Sequence, residues 1–190
     1  MRVITFDIET ANTFQEAGSS NPADLDIAVV AIHDSKTNEY KCFLQEDFSK
    51  LWKILEEADI LVGYNSNHFD IPLLNKYFPG ELTHIKSLDI LAEIYNSLGR
   101  RLKLDIIAEA TLGESKSANG LQSIRWWKEG KVKQVCDYCK QDVKVTRKIY
   151  EYALENKKLK YKDLGKVREF PINTDDWNII QDSSITKTLF

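Results

Sequence analysis

Hydrophobic positions near the amino terminus alternate with polar ones or run in short β-branched stretches. This pattern predicts three strands that begin an antiparallel sheet, at residues 2–8, 26–33 and 40–44. Apolar residues spaced by three and one then predict an amphipathic helix over residues 48–58. A short apolar run predicts a buried strand at residues 60–63. The predicted order of these elements is therefore three strands, a helix and a fourth strand.

The second half of the chain is predicted to be mostly helical. Helical patterns cover residues 69–78, 87–98, 104–112 and 121–128 and a long segment from 132 to 156. Strands followed by helices indicate an α/β architecture in which a mixed β-sheet carries helices on both faces. From residue 161 onward the helical periodicity is lost. We therefore expect one domain over residues 1–160, followed by a C-terminal tail or arm over residues 161–190 that is not a separate domain.

The composition is that of a folded domain, with 190 residues, 43% hydrophobic and 29% charged. At this length the core needs neither disulfides nor a structural metal, so any metal here is expected to serve function. The chain has no apolar run of about 18 residues and opens directly into a strand pattern. We expect no membrane partner and a cytoplasmic location. Three cysteines leave an odd one over, which favours a reducing compartment over a disulfide framework.

Charge is distributed unevenly along the chain. Of the 26 basic and 29 acidic residues, 7 and 16 precede residue 100, which leaves 19 and 13 from residue 100 onward. Basic residues cluster at 100–103 and again at 157–162. Such clusters form either a side that faces phosphates or an ordinary solvated helix face. Charge alone does not establish binding of nucleic acid.

Two carboxylates share one face of the first strand. Asp7 and Glu9 lie on the face opposite Phe6 and Ile8, about 7 Å apart along the strand. Like charges flanked by apolar residues are costly unless a cation lies between them, and oxygen ligands suit magnesium or manganese. The alternative is that both acids simply face water at the strand end.

Two further acids are candidates for the same kind of site. Asp70 follows a predicted buried strand and a polar turn with Asn65, where it is either a helix cap or a functional acid. Asp142 interrupts the apolar face of the long helix, and Tyr138 lies one turn before it. Taken alone, Tyr138 would more often be a core residue and Asp142 an edge residue.

These segments together resemble the DEDD superfamily of 3′-to-5′ exonucleases, which have a ribonuclease H-like fold. The sequence FDIET, with Asp7 and Glu9, is similar to the first exonuclease motif. The stretch from Asn65 to Asp70 is similar to the second motif in the form of the proofreading domains of B-family DNA polymerases. The stretch from Tyr138 to Asp142 is similar to the third motif of the tyrosine subclass. The resemblance covers roughly residues 1–156.

The resemblance implies roles for the residues of these motifs. Two divalent ions, Mg²⁺ or Mn²⁺, would be held by four carboxylates: Asp7 between both ions, Glu9 and Asp142 at the ion that activates water, and Asp70 through water at the other. Tyr138 would orient the attacking water, Thr10 and Asn65 would hold the terminal nucleotide, and Phe69 would support a base. The catalytic set is thus Asp7, Glu9, Asp70, Tyr138 and Asp142. Phe69 is equally expected as a core residue.

Several neighbouring residues have plainer interpretations. His68 is expected to be a turn residue, because Tyr138 already supplies the third motif. Asp89 is either an outer support of the site or a helix cap, and we leave it out of the metal set. Cys136 and Cys139 form a CxxC pair that cannot complete a usual zinc site with the one remaining cysteine. Trp126 and Trp127 would either stack on a strand or lie with one ring buried and the other partly exposed.

The expected function is metal-dependent hydrolysis of the terminal phosphodiester of single-stranded nucleic acid, with DNA favoured and nucleoside 5′-monophosphate released. One alternative is an exoribonuclease that trims RNA 3′ ends, because the acids are the same. Another is a non-catalytic nucleic-acid-binding module, which would be expected to lack at least one acid. The partners expected are single-stranded 3′ ends and a recruiting protein, because the low total charge argues against tight unaided binding.

Overall fold

The chain folds around a central mixed sheet, seen in a computed structural model that describes residues 1–114 and 120–179. The strands of this sheet are β1 (Val3–Thr10), β2 (Ile27–Asp34), β3 (Glu39–Phe43), β4 (Ile60–Gly63) and β5 (Lys86–Asp89). Their spatial order is β3-β2-β1-β4-β5. β1 pairs antiparallel with β2 and parallel with β4, so the first strand of the chain lies at the centre.

Helices cover both faces of this sheet. They are α1 (Phe14–Ala17), α2 (Phe48–Glu56), α3 (Asp70–Asn75), α4 (Ile90–Leu98), α5 (Leu104–Leu112), α6 (Gly120–Lys128) and α7 (Val132–Asn156). On one face the core includes Phe6, Leu51 and Leu73, from β1, α2 and α3. On the other face it includes Val62, Ile107 and Ile149, from β4, α5 and α7. The α/β class with helices on both faces, predicted from the sequence, is confirmed.

The alternation in β1 determines which side chains face α7. Ile4, Phe6 and Ile8 are nearly fully buried in the core beneath α2 and α3. Asp7 and Glu9 therefore project to the opposite face, the one that α7 covers. The ladder between β1 and β2 is irregular between Glu9 and Thr10. Irregularities of this kind often lie next to functional sites, where they re-aim side chains.

The predicted elements agree in type and order with the observed ones except at the short helix α1, at β5 and beyond the long helix. The prediction placed residues 87–98 in one helix, but residues 86–89 pair in parallel with β4 and the helix begins only at Ile90. The strand was missed because Leu88 is the sole apolar residue in Lys86–Asp89 and its neighbours are poor strand formers. Pairing with β4 at the sheet edge therefore makes this segment a strand, although its own residues have a low preference for strands.

Two strands follow the long helix. β6 (Lys158–Asp163) and β7 (Lys166–Pro171) pair antiparallel around a tight turn in which Leu164 and Gly165 both have positive φ angles of 47° and 77°. Positive φ at both central positions suits the right-handed twist of a hairpin. In the sequence, the alternating lysines of β6 look like a solvated basic run. The strand was therefore missed, although Leu159 and Tyr161 between those lysines face inward. The division of the chain at residue 160 stays a prediction.

A disulfide joins the edge strand β3 to the long helix. Cys42 and Cys136 are bonded, with their Cα atoms 5.8 Å apart, and Cys139 is a free buried thiol. The odd number of cysteines had indicated a reducing compartment, and nothing in the spacing predicts this pair. It arises because α7 packs across β2 and β3 and brings Cys136 against the sheet edge. Cys136 therefore pairs with a distant strand and not with its CxxC neighbour.

Candidate active site

Three carboxylates from two distant segments meet at the centre of the sheet. Ligand oxygens of Asp7, Glu9 and Asp142 all lie within 4.8 Å of one another. β1 supplies the first two by its alternation, and α7 supplies the third because its inward stripe crosses β1 at this point. Glu9 is 7% exposed and Asp142 is 5% exposed, so water screens their charges poorly. A cation bound among them would stabilise three carboxylates that lie this close together.

The donor set fits a hard divalent metal. Carboxylate oxygens are the ligands that Mg²⁺ and Mn²⁺ prefer, and clustered oxygens at this spacing can share one ion or a pair of ions. Cys139 is the nearest sulfur, with its Sγ atom 3.4 Å from the Asp7 carboxylate. Burial, followed by the charges of Asp7 and Glu9, raises the pKa of this thiol well above its ordinary value. Cys139 is therefore a neutral hydrogen-bond donor to Asp7, which leaves an all-oxygen set.

All eight residues predicted for the site line one cleft of about 610 Å³. They are Asp7, Glu9, Thr10, Asn65, Phe69, Asp70, Tyr138 and Asp142. Among the described residues, the group of acids close enough to hold an ion together comprises Asp7, Glu9 and Asp142, and Asp70 is outside it. The structure thus gathers the candidates while separating Asp70 from the tight cluster.

Asp70 lies at the start of α3, at the wall of the cleft. Its side chain is 5% exposed. Burial raises the pKa of this carboxyl well above its ordinary value, and the negative charges of Asp89 and Glu9 raise it further. An acid in this position is more stable as an anion when a cation lies nearby.

The conformation of the loop between β4 and α3 is restricted by its backbone angles, by close packing and by hydrogen bonds. Asn65 has a φ angle of 65°, a left-handed conformation that asparagine tolerates better than most residues. A Cβ atom on Gly63 would lie 2.4 Å from the Ser66 Cβ, so only glycine fits at the end of β4. The Asp89 carboxylate accepts hydrogen bonds from the backbone amides of Asn65, at 2.7 Å, and Asn67, at 3.1 Å. This loop therefore holds Asn65 and Asp70 in fixed positions.

Asp89 is both a helix cap and a support for that loop. In addition to the loop amides, its Oδ1 atom accepts the amide of Leu91 at 2.9 Å in the first turn of α4. The carboxylate thus joins β5, α4 and the loop beside the cleft. Both alternatives considered for it from the sequence are realised at once. His68, in contrast, is exposed in the same loop, as expected of a turn residue.

The helix α6 supports the site from the side, which the sequence did not reveal. The buried Ser123 hydroxyl donates a hydrogen bond to the Glu9 carboxylate. Trp126 packs edge-on against Tyr138, with ring centroids 6.2 Å apart. The pattern of α6 predicts a helix but contains no signal for either contact. The packing of Trp126 against the predicted catalytic residue Tyr138 is therefore visible only in the folded structure.

An aromatic residue beside the cleft was also missed. Phe14 is 40% exposed, and its ring meets that of Phe69 edge-on with centroids 6.2 Å apart. Both line the cleft. Thr13 and Glu16 form a capping box around the short helix α1, which fixes the position of Phe14. This Thr-x-x-Glu spacing is the signal that would have predicted a helix start at Phe14.

The fold and the acid cluster together define a protein of the ribonuclease H-like class. The model of the RNase_H superfamily matches residues 4–154, and the chain belongs to this superfamily. The nuclease character of the superfamily agrees with the clustered acids.

A solved structure shares this fold. The family B DNA polymerase from the hyperthermophilic archaeon Pyrobaculum calidifontis matches with a TM-score of 0.62 and 21% sequence identity, over 81% of this chain and 24% of the polymerase chain. The present chain thus corresponds to about a quarter of that polymerase. The resemblance to B-family polymerases noted in the sequence is confirmed at the level of the fold. No curated protein matches the chain. Among residues 1–114 and 120–179, no helix is both long and apolar enough to cross a membrane.

Proposed function

We propose that this protein is a metal-dependent 3′-to-5′ exonuclease that hydrolyses the terminal phosphodiester of single-stranded nucleic acid, with DNA favoured. The observation that carries the proposal is the convergence of Asp7, Glu9 and Asp142 within 4.8 Å, in a cleft that Tyr138 and Asp70 also line. The polarity is taken from the resemblance of the three motifs to proofreading domains. DNA is favoured because the structural relative is a DNA polymerase.

The acids would hold the metal ions. Asp7, Glu9 and Asp142 would form one set of ligands, and Asp70 would act at a second ion, directly or through water. Bound divalent ions would supply an activated water and would neutralise charge at the scissile phosphate and the leaving oxygen. In the overall reaction, the water oxygen bonds to phosphorus, the bond from phosphorus to the 3′ oxygen breaks, and that oxygen takes up a proton. The products are a nucleoside 5′-monophosphate and a chain with a free 3′ hydroxyl.

The remaining residues of the cleft would position the substrate and the water. The Tyr138 hydroxyl would orient the attacking water by a hydrogen bond, and the edge-on packing of Trp126 would fix the ring that carries it. Phe14 and Phe69, whose rings meet edge-on, would form an apolar wall against which the terminal base packs. Thr10 and Asn65 would contact the sugar and phosphate of the terminal nucleotide. A cleft of about 610 Å³ is large enough for a nucleotide.

The direct test is digestion of 5′-labelled single-stranded DNA and RNA of the same sequence with Mn²⁺, Mg²⁺ or EDTA. We expect a ladder that shortens from the 3′ end with either metal and no products with EDTA. Asp7→Ala and Asp142→Ala should each lower the rate by more than about 100-fold, because each removes a ligand. The matched control is Asp137→Ala, since Asp137 is an exposed acid on the same helix that pairs with Lys133.

The outcomes separate the candidate functions. Faster digestion of RNA would make RNA trimming the function, and shortening from the 5′ end would overturn the polarity. Activity that survives Asp142→Ala at the wild-type rate would show that the assigned site is wrong. A folded protein that binds Mn²⁺ through these acids but cleaves neither polymer would instead be a binding module.

A further inference from the structure

Two basic clusters that are far apart in the sequence meet in the fold. The guanidinium carbon of Arg100 lies 4.6 Å from the centre of the Tyr161 ring, in cation–π geometry. Arg100 belongs to the cluster at residues 100–103, and Tyr161 lies on β6 between Lys160 and Lys162. Packing of α5 against β6 holds the clusters together, since the Thr111 hydroxyl bonds to both the carbonyl and the amide of Lys160. The fold thus joins the two clusters.

The same segment reaches the candidate active site. The guanidinium of Arg101 donates a hydrogen bond to the side-chain oxygen of Asn65, which lines the cleft. The Tyr64 hydroxyl donates to the carbonyl of Leu102 at 2.9 Å and ties this segment to the loop of the cleft. Adjacent Cα atoms are about 3.8 Å apart, so one dipeptide, Arg100 and Arg101, spans from the cleft to the hairpin.

The charge of this surface is positive, although the whole chain has a formal net charge of −3. Within the described ranges 1–114 and 120–179, no carboxylate forms an ion pair with Arg100, Arg101 or Lys103. Residues 157–171 contain six basic and two acidic residues. Lys162 pairs with Glu109 at 3.4 Å, but both side chains are more than half exposed. Exposed pairs of this kind are worth about 0 to 1 kcal/mol, so a phosphate can replace the carboxylate at little cost.

We propose that Arg101, Arg100 and Lys162, here called the basic path, bind the phosphates of the single strand that leads to the 3′ end in the cleft. The proposal rests on the proposed function, because the path begins at Asn65. Phosphate contacts from arginine and lysine position a strand without reading its sequence. The stacked Arg100 and Tyr161 add a flat surface for a base, which is also independent of sequence. The basic path thus extends the site from the terminal nucleotide to several upstream nucleotides.

The test is equilibrium binding of thymidine oligonucleotides of about 3 and about 15 nucleotides, measured by fluorescence anisotropy in EDTA so that nothing is hydrolysed. The variant carries Arg100→Gln and Lys162→Gln, which remove two charges outside the cleft. We expect binding of the long oligonucleotide to weaken by about 10-fold and the slope of log K against log salt to fall by about 1.4, because each lost contact on a single strand removes about 0.7. Binding of the short oligonucleotide should not change.

A matched control carries Lys50→Gln and Lys53→Gln. These two exposed lysines lie on α2, which covers the other face of the sheet, and their loss changes the total charge equally. An unchanged salt slope in the path variant would overturn the proposal, as would an equal loss of affinity in the control. A further outcome is that the wild-type protein cleaves nothing when Mn²⁺ is added while the path variant still binds the long oligonucleotide more weakly. That result would overturn the proposed function and leave the basic path standing. Normal cleavage with normal binding by the path variant would overturn the basic path alone.

Discussion

The carboxylate of Asp89 accepts the backbone amide of Asn65 at 2.7 Å, across 24 residues of sequence. This bond ties the first turn of α4 to the loop that leads into Asp70. It also stabilises a left-handed residue, whose conformation depends on partners for its amide. Asp89, which is not a candidate metal ligand, thus helps to position Asp70, which is one.

Asp89→Ala should destabilise the fold and weaken activity together. The loop amides and the first turn of α4 lose their acceptor, so the free energy of unfolding should fall by about 2 to 3 kcal/mol. Chemical denaturation measures this loss, and cleavage of a short oligonucleotide reports the position of the loop. The control is Asp47→Ala, because Asp47 also precedes a helix but makes no capping hydrogen bond. Equal stability of the two variants would contradict the role given to Asp89.

His33 should make the protein less stable in mild acid. Its side chain is 3% exposed, and its Nε2 atom lies 3.1 Å from the Asn38 side-chain oxygen and 3.0 Å from the Arg147 guanidinium. Burial, opposed in part by the bond to Asn38 and assisted by the charge of Arg147, lowers the pKa of His33 below its ordinary value of 6.5. Tyr40, Glu151 and Asp34 are the other ionisable groups close to this ring or to Arg147.

The sign of the effect follows from proton binding in the two states. Between the lowered folded pKa and about 6.5 the unfolded chain binds more protons at this residue than the folded chain. Stability contributed by neutral His33 is therefore present above about pH 6.5 and is lost as the pH falls through that window. Denaturation at several pH values should show this slope in the wild type and a flatter one in His33→Gln. The exposed His84→Gln is the control and should leave the slope unchanged.

The bond between Cys42 and Cys136 should contribute to stability under oxidising conditions. It closes a long loop, with 94 residues of separation, and disulfides typically stabilise by about 2 to 4 kcal/mol by restricting the unfolded chain. A reducing agent should lower the free energy of unfolding of the wild type by this amount. Cys136→Ser should not respond to the reductant. Three reactive thiols in the denatured, unreduced wild type would show that the bond does not form in solution.

Trp177 should anchor the segment that follows the hairpin. Its ring is 1% exposed and stacks on Tyr150 of α7, with centroids 5.7 Å apart and an angle of 8° between the planes. Trp177→Ala should lower the free energy of unfolding by about 3 to 5 kcal/mol, which thermal or chemical melting would measure. Val167→Ala, at a half-exposed position of β7, should change it little. A chain ending at residue 160 that melts like the full chain would show that the domain ends there and that Trp177 is dispensable.

Local periodicity determined most of the secondary structure. Apolar spacing predicted the limits of β4, α5 and the 25-residue helix α7 as the structure has them, because these segments are long or strongly patterned. It missed the short helix α1, and it missed the strands at β5 and at the hairpin. In both places the strand is stabilised by a partner strand and not by its own composition.

The residue types of the site were also determined by the sequence, since acids and a tyrosine at motif spacing are visible without a fold. Only the tertiary structure decided that Asp7, Glu9 and Asp142 converge while Asp70 is separate from them. The same holds for Ser123 beside Glu9, for Cys42 bonded to Cys136 and for Arg100 stacked on Tyr161. Each of these contacts joins segments that are distant along the chain. Local sequence determines helices, strands and the faces they present, but the meeting of two faces depends on how the whole core packs.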